Sequence, residues 1–323
     1  MDLVDTLRKK IIVLEEGEYI AGLKAVLLHI ETAFRHLSRG QESEDDTAFT
    51  DAIYRTNQAF EGSVKEAYRV LANQDPAKKR PYDIENYLEQ NNIFRSRVLS
   101  QLTTYRTEWR NPSAHDYKLD FDESEAFLAI VSVSAFACLL LDLIAERLAY
   151  TKSQAEAEAQ KVQLAASLAQ TLDADLLVRV TDLLVQFCAI HMPRANVSSG
   201  KPTESQVIGA LHGFLASTAP ELSVQTEVRL DAEKHFRADL LVARGEDRLV
   251  IELKRKLMKQ SYTNAVAQIE QYLLVGGIKY GVLLFLPDAP SEMERLDSAV
   301  TGINGQLVIL SPMGANPHLR ANL

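Results

Sequence analysis

The run of residues 235–256, HFRADLLVARGEDRLVIELKRK, constrains the fold of this chain more than any other stretch. It contains two apolar runs, LLV at 240–242 and LVI at 249–251, of the kind found in buried strands. Gly245-Glu246-Asp247 lies between them and predicts a tight turn, because glycine adopts positive φ freely and aspartate tolerates it. The pattern therefore predicts a largely buried β-hairpin.

Three charged residues interrupt this hairpin: Asp239, Glu252 and Lys254. Burying a charge is costly unless it is paired or bound to a metal. Glu252 and Lys254 are two residues apart, so their side chains leave the same face of one strand, and Asp239 on the neighbouring strand can reach that face. Two carboxylates beside a lysine favour binding of a hard divalent cation and a phosphate group.

Length and charge set broader limits. The 323 residues suffice for two domains with full cores, and the net charge of −9 excludes a polycation that coats nucleic acid. The N-terminal residues MDLVDTLRKK lack the apolar segment of a signal peptide. The longest apolar run, residues 127–141, is short for a bilayer span and has acidic residues on both sides. We expect a cytoplasmic protein without a membrane segment.

The first 150 residues show helical periodicity and no strand pattern. Apolar spacing predicts helices over residues 3–39, 47–71 and 84–106, with a new helical turn starting at Asn111-Pro112. A capping box, Asp122-x-x-Glu125, predicts the start of a further helix that reaches about residue 150. Residues 1–150 are therefore expected to form an all-α helical bundle.

Residues 151–172 are rich in Ala, Gln, Glu and Lys and are predicted to form a helical linker. From 173 to 323 the pattern predicts an α/β domain with a central mixed sheet. Its expected helices and strands lie, beside the hairpin, at 175–190, 203–217, 222–230, 265–275, 281–286 and 306–311.

The spacing of Asp239, twelve intervening residues and Glu252-Leu253-Lys254 resembles the PD-(D/E)XK nuclease superfamily. The predicted helices before the sheet and after the Glu-x-Lys strand agree with that resemblance, which covers residues 173–290. Gln268-x-x-x-Tyr272 is similar to the QxxxY motif of the RecB-like branch. Ala238 stands where many members have proline.

The resemblance implies a restriction-endonuclease-like fold and hydrolysis of DNA phosphodiester bonds with Mg²⁺ or Mn²⁺. Asp239 and Glu252 would bind the metal, and Lys254 would orient the nucleophilic water or offset charge in the transition state. Glu204, on the preceding helix, could complete the metal shell. Glu227, in the first strand, is a competing candidate.

Four further residues are candidates for contacts with the substrate. Gln268 and Tyr272 would touch phosphate or order the site. Arg255 and Lys256 offer a basic edge for a nucleic-acid backbone.

A second motif lies in the helical half. Arg110-Asn-Pro-Ser-Ala-His115, followed by Tyr117, reads R-x4-H-x-Y and resembles the HEPN superfamily of helical RNases over residues 1–150. The resemblance implies metal-independent RNA cleavage, with Arg110 holding phosphate and His115 acting on the ribose hydroxyl or the leaving oxygen. It also implies a homodimer in which two chains build one active site.

These motifs leave three functional hypotheses open. The first is a Mg²⁺-dependent DNA endonuclease whose HEPN-like domain dimerises, senses a signal or cuts RNA, in bacterial antiviral defence. The second is a metal-independent HEPN RNase whose C-terminal domain only binds nucleic acid. The third is a non-catalytic dimeric adaptor in which both sites are vestigial, with Arg110 and His115 serving only in helix capping and packing.

Overall fold

The computed structural model describes residues 2–115, 118–194, 200–231, 236–255, 259–300 and 303–315. The chain divides into two units, residues 1–147 and 148–323. The first unit is helical and the second contains a six-stranded sheet, so the chain is a mixed α and β protein, as predicted.

The helices that begin in the first unit agree with the predicted bundle in character but differ in their ends. They are α1 (Leu3–Ile12), α2 (Glu18–Ser43), α3 (Thr47–Leu71), α4 (Pro81–Gln90), α5 (Ser96–Tyr105), α6 (Asn111–His115) and α7 (Glu123–Ala159), with a π-helix at Arg106–Arg110. The capping box before α7 is confirmed, because the Glu125 amide donates to Asp122 Oδ1 (2.8 Å) and the Asp122 amide to Glu125 Oε2 (2.9 Å).

Two predicted helices are each broken into two. The run from residue 3 to 39 is interrupted before α2, which has the extended Gly17 as its N-cap. The run from 84 to 106 is interrupted after α4, where Asn92 adopts φ +52°. Asparagine is one of the few residues that tolerates this left-handed conformation, so the Asn91-Asn92 pair ends the helix although apolar spacing continues beyond it.

The predicted restart at Asn111 is wrong. Asn111 has helical backbone angles (φ −69°, ψ −46°), and the chain runs from α5 through the π-helix into α6 without a cap. The π-helix ends two residues before Pro112, whose ring and missing N–H disturb regular α-helical hydrogen bonding. The Arg110–His115 motif therefore lies on one continuous helical run.

Helix α7 is the most apolar element and extends beyond its predicted end near residue 150. It is the one helix in the described part of the chain whose length and composition would allow a membrane crossing, yet 56% of its most apolar window is buried within the protein. Ile130, Phe136 and Ile144 are fully buried in it. The larger part of this apolar window is therefore covered by the protein itself.

The second unit contains α8 (Lys161–Leu168), α9 (Leu176–Gln186), α10 (Glu204–Thr218) and α11 (Lys259–Gly276), with a π-helix at Phe187–His191. Its strands are β1 (Ser223–Arg229), β2 (Arg237–Arg244), β3 (Asp247–Lys254), β4 (Tyr280–Phe285), β5 (Met293–Val300) and β6 (Gly305–Pro312). Ala157, Leu164 and Leu168 are buried in the main apolar core of this unit. Residues 151–172, which we predicted to be a linker, thus contribute side chains to the core.

The sheet has the order β1-β2-β3-β4-β6-β5. The pairs β1–β2, β2–β3 and β5–β6 are antiparallel, whereas β3–β4 and β4–β6 are parallel, which confirms the predicted mixed sheet. One apolar cluster joins the sheet to α9 and α10, through Leu240 and Ile251 among others, and a second joins it to α11. The sheet therefore lies between two helical layers.

Strand β5 was not predicted. It lies at the edge of the sheet, and its exposed positions include Arg295 and Asp297. Charged side chains on an edge strand block pairing with other chains but conceal the apolar alternation used for prediction.

Candidate functional site

The hairpin of β2 and β3 brings the predicted acidic residues together. Arg244 pairs with Asp247 across a two-residue turn in which Gly245 has φ +61°. The register pairs Leu240 with Ile251, and its continuation by one residue places Asp239 opposite Glu252. Asp239 Oδ2 accepts a hydrogen bond of 2.7 Å from the Leu253 amide, which fixes its carboxylate against β3.

Glu252 is buried, and only one of its two carboxylate oxygens has a partner. Lys254 Nζ lies 2.6 Å from Glu252 Oε1, and the Glu252 side chain is 4% exposed. Glu252 Oε2 is buried and accepts no hydrogen bond from the described residues. An unsatisfied buried carboxylate oxygen is energetically unfavourable, so this position suits a cation.

Burial and mutual repulsion change the acidity of both carboxyl groups. Burial, followed by the negative charge of Glu252, raises the pKa of Asp239 to about 7. Burial also raises the pKa of Glu252, and the bond to Lys254 opposes that rise. The metal-free pair therefore holds a proton near neutral pH, and a divalent cation would replace that proton.

The structure separates the two candidates for a third acid. Glu204 is the first residue of α10, and its negative charge raises the pKa of both Asp239 and Glu252, so it lies within electrostatic range of the pair. Glu227 instead contacts Arg237 Nη1 at 3.1 Å. Within the described ranges, no three His, Cys, Asp or Glu side chains are close enough to form a metal-binding group.

The two residues of the QxxxY motif contact each other near the acidic pair. Gln268 Nε2 donates to the Tyr272 hydroxyl at 2.6 Å, and the Tyr272 ring meets Phe236 edge to face. Burial raises the pKa of Tyr272, and the charges of Glu252, Lys254 and Asp239 also act on it. Helix α11 thus presents Gln268 and Tyr272 to the same end of the hairpin.

The predicted basic edge is only partly described. Arg255 directly follows β3, and its Nη2 donates to the carbonyl oxygen of Pro202. Lys256 lies outside the described residues.

In the first unit, Arg110 is held by its neighbours. Its Nη1 donates to Asn111 Oδ1 at 3.0 Å, and its Nη2 lies 3.6 Å from Glu61 Oε1. His115 is exposed at the C-terminal end of α6, and Tyr117 lies outside the described residues. Glu61, on α3, therefore faces the Arg110–His115 motif.

A buried polar network behind this motif was not predicted. Tyr105 donates its hydroxyl to Thr56 Oγ1 (2.7 Å), and Asn57 Nδ2 donates to Ser113 Oγ (2.7 Å), which in turn donates to the Trp109 carbonyl (2.8 Å). These bonds join α5 and α6, the helices on either side of the π-helix, to α3. The available sequence signal was Thr56-Asn57, two polar residues at positions where α3 faces the core.

The chain matches no family model, no curated protein and no solved structure at a significant level. The two motif resemblances therefore have no independent support, and functional inference depends on the geometry of the two sites.

Proposed function

We propose that the second unit is a Mg²⁺- or Mn²⁺-dependent endonuclease that hydrolyses DNA phosphodiester bonds, similar to PD-(D/E)XK nucleases. The observation that supports this most strongly is the buried pair Asp239 and Glu252, with Lys254 on one oxygen of Glu252 and the other oxygen unpaired. Such an arrangement is unfavourable in a purely structural hairpin and favourable in a cation site.

The residues fit a hard divalent cation. Such ions take carboxylate oxygens as ligands, and Asp239 and Glu252 would hold the ion between β2 and β3. Glu204, at the start of α10, lies within electrostatic range of the pair and could approach the bound ion from there. The bound ion would activate water and neutralise charge on the phosphate.

The other side chains have roles that do not depend on direct contact with the ion. Lys254 carries a positive charge beside Glu252, where it can offset negative charge that develops on the phosphate. The amide of Leu253 orients Asp239. Gln268 donates to the hydroxyl of Tyr272, and that hydroxyl could contact a phosphate oxygen of the substrate.

The helical unit has a supporting role in this proposal. It is a HEPN-like domain that forms a homodimer, senses a signal or cuts RNA, and the protein acts in the cytoplasm in bacterial antiviral defence. No membrane partner is part of the proposal.

The substrate and metal requirements can be tested together. Purified protein is incubated with supercoiled plasmid, single-stranded DNA and RNA, each with Mg²⁺, with Mn²⁺ or with EDTA. Cleavage of DNA that needs a metal supports the proposal. Cleavage of RNA alone, in EDTA, supports the RNase hypothesis, and absence of cleavage from all substrates supports the adaptor hypothesis.

Metal binding should depend on pH. Because Asp239 has its pKa raised to about 7, the site is mainly protonated below that pH and must lose a proton to bind a cation. We expect the affinity for Mn²⁺ to fall about tenfold from pH 8 to pH 6, measured by calorimetry with MnCl₂. Asp247→Asn, at the exposed turn of the same hairpin, is the control. An affinity that is constant over this range would contradict the assignment.

One observation favours RNA cleavage by the first unit as a second candidate function. Arg110 is held by Glu61 and Asn111 on the same helical run as the exposed His115. If this site is catalytic, RNA should be cleaved in EDTA, and His115→Ala should lower the rate about 100-fold, because general acid–base catalysis is lost. His29→Ala, in the same unit, should cleave normally. Equal rates for the wild type and His115→Ala would contradict this function.

A further inference from the structure

We infer that Arg255 is a positioning residue: its guanidinium holds the start of α10, and with it Glu204, against the end of β3. This inference rests on the proposed function, because it assigns Glu204 to the same acidic site. It also replaces the predicted role of Arg255 as a contact to the nucleic-acid backbone.

The main observation is a hydrogen bond between the side chain of Arg255 and the backbone of Pro202. Arg255 directly follows Lys254, the last residue of β3, and donates from Nη2 to the carbonyl oxygen of Pro202. Pro202 is two residues before Glu204 in the sequence. The hydrogen bond therefore links the strand end that carries Glu252 and Lys254 to the helix start that carries Glu204.

Two reciprocal hydrogen bonds hold the first turn of α10 together. The Thr203 amide donates to Gln206 Oε1 (2.8 Å), and the Gln206 amide donates to Thr203 Oγ1 (3.3 Å), which together form a capping box. Glu204 lies inside that box. A displacement of Pro202 would thus carry Glu204 with it.

A second contact holds the same segment to the neighbouring strand. Lys201 Nζ lies 2.7 Å from Asp288 Oδ2, and Asp288 follows β4, which pairs in parallel with β3. Both side chains are exposed, 62% and 71%, so this pair stabilises the segment only slightly. Arg255 is exposed as well, but its charge-assisted hydrogen bond to the Pro202 carbonyl lies one residue closer to Glu204 in the chain.

The hydrogen bond from Arg255 opposes electrostatic repulsion within the acidic site. Glu204 carries a charge of the same sign as Asp239 and Glu252, so repulsion would move it away when no cation is bound. A tether from β3 limits that displacement and keeps Glu204 within electrostatic range of the pair, from which it can approach a bound ion. Partners that orient metal ligands in this way typically change metal affinity by about 10–100-fold when they are removed.

Hydrogen exchange tests the positioning directly in the metal-free protein. The Gln206 and Val207 amides donate to Thr203. We expect Arg255→Ala to increase their exchange rate about fivefold and leave exchange in α9 unchanged. Arg255→Lys, which can still donate to the carbonyl, should restore most of the protection. Lys201→Ala is the matched control and should have a smaller effect, and unchanged exchange in Arg255→Ala would overturn the inference.

Calorimetry with MnCl₂ tests the connection to the site. Arg255→Ala and Glu204→Gln should each weaken Mn²⁺ binding about tenfold, and the double variant should be no weaker than Glu204→Gln. The opposing outcome is that Arg255→Ala leaves the Mn²⁺ affinity intact and reduces the slope of log DNA affinity against log salt concentration by about 1. In that case Arg255 contacts a phosphate of the nucleic-acid backbone, and the inference is overturned.

The same titrations distinguish this inference from the proposed function. If wild type and Asp239→Asn bind Mn²⁺ equally weakly, the proposed function is contradicted, and the inference with it. If Asp239→Asn abolishes a binding that Arg255→Ala leaves unchanged, only the inference is contradicted.

Discussion

Asp239→Asn should abolish metal-dependent DNA cleavage and at the same time stabilise the metal-free protein. The amide keeps the acceptor for the Leu253 N–H but has no charge to hold a cation. We expect a loss of about 1,000-fold in the rate of plasmid cleavage, since removing one charged partner of the reacting phosphate or its metal costs several kcal/mol. The rate of plasmid nicking with Mg²⁺ measures this loss.

The gain in stability follows from the raised pKa of Asp239. Its folded value is about 7 and its ordinary value 3.8, so protonation favours the folded state, fully below pH 3.8 and no longer above pH 7. At pH 8 the wild type therefore contains a buried, ionised carboxylate, which the neutral amide of the Asp239→Asn variant replaces. Allowing for coupling to Glu252, we expect the substitution to stabilise the protein by about 2 kcal/mol at pH 8.

The pH dependence of unfolding provides the measurement and its control. About 2 kcal/mol corresponds to a rise in Tm of about 4–8 °C for a unit of this size. The difference from wild type should shrink as the pH falls from 8 to 4, because the wild-type carboxyl becomes neutral. Asp247→Asn, at the exposed end of the hairpin, should change neither Tm nor cleavage. If the Asp239→Asn variant cleaves DNA, or if it is less stable than the wild type at pH 8, the assignment of Asp239 is contradicted.

Lys254→Ala should also stop DNA cleavage but should leave metal binding. Its ammonium group lies 2.6 Å from Glu252 Oε1, beside the proposed metal site. Loss of one preorganised positive group typically lowers a rate by about 100- to 1,000-fold. Asp239 and Glu252 remain, so Mn²⁺ should still bind, as calorimetry would show.

A second lysine of the same unit controls for the loss of charge. Lys279 is exposed before β4, and Lys279→Ala should cleave plasmid DNA at the wild-type rate. A different result is expected if Lys254 only neutralises the charge of Glu252 in the folded protein. In that case Lys254→Ala would keep a cleavage rate within about threefold of wild type and would only lower Tm.

The sequence was most informative where local chemistry determines local structure. The turn at Gly245, the capping box at Asp122 and the shared face of Glu252 and Lys254 each depend on a few adjacent residues, so they could be predicted. Helix α3 was predicted with its observed ends because its apolar spacing ends where the helix ends.

Features that depend on distant partners were not predictable. The buried, unpaired Oε2 of Glu252 depends on tertiary packing around β3, and the bond from Arg255 to Pro202 joins residues 53 positions apart. The pairing of Arg110 with Glu61 likewise requires the packing of two helices. Composition also concealed β5, because its charged residues serve a sheet edge that exists only in the folded protein.

A Mg²⁺ titration of plasmid nicking by the wild type tests the central claim most directly. If Asp239, Glu252 and Lys254 form a nuclease site, nicking should be absent in EDTA, should rise to a plateau with added Mg²⁺, and should be absent at every Mg²⁺ concentration in Asp239→Asn. Nicking that persists in EDTA, or that Asp239→Asn performs at the wild-type rate, would contradict this account.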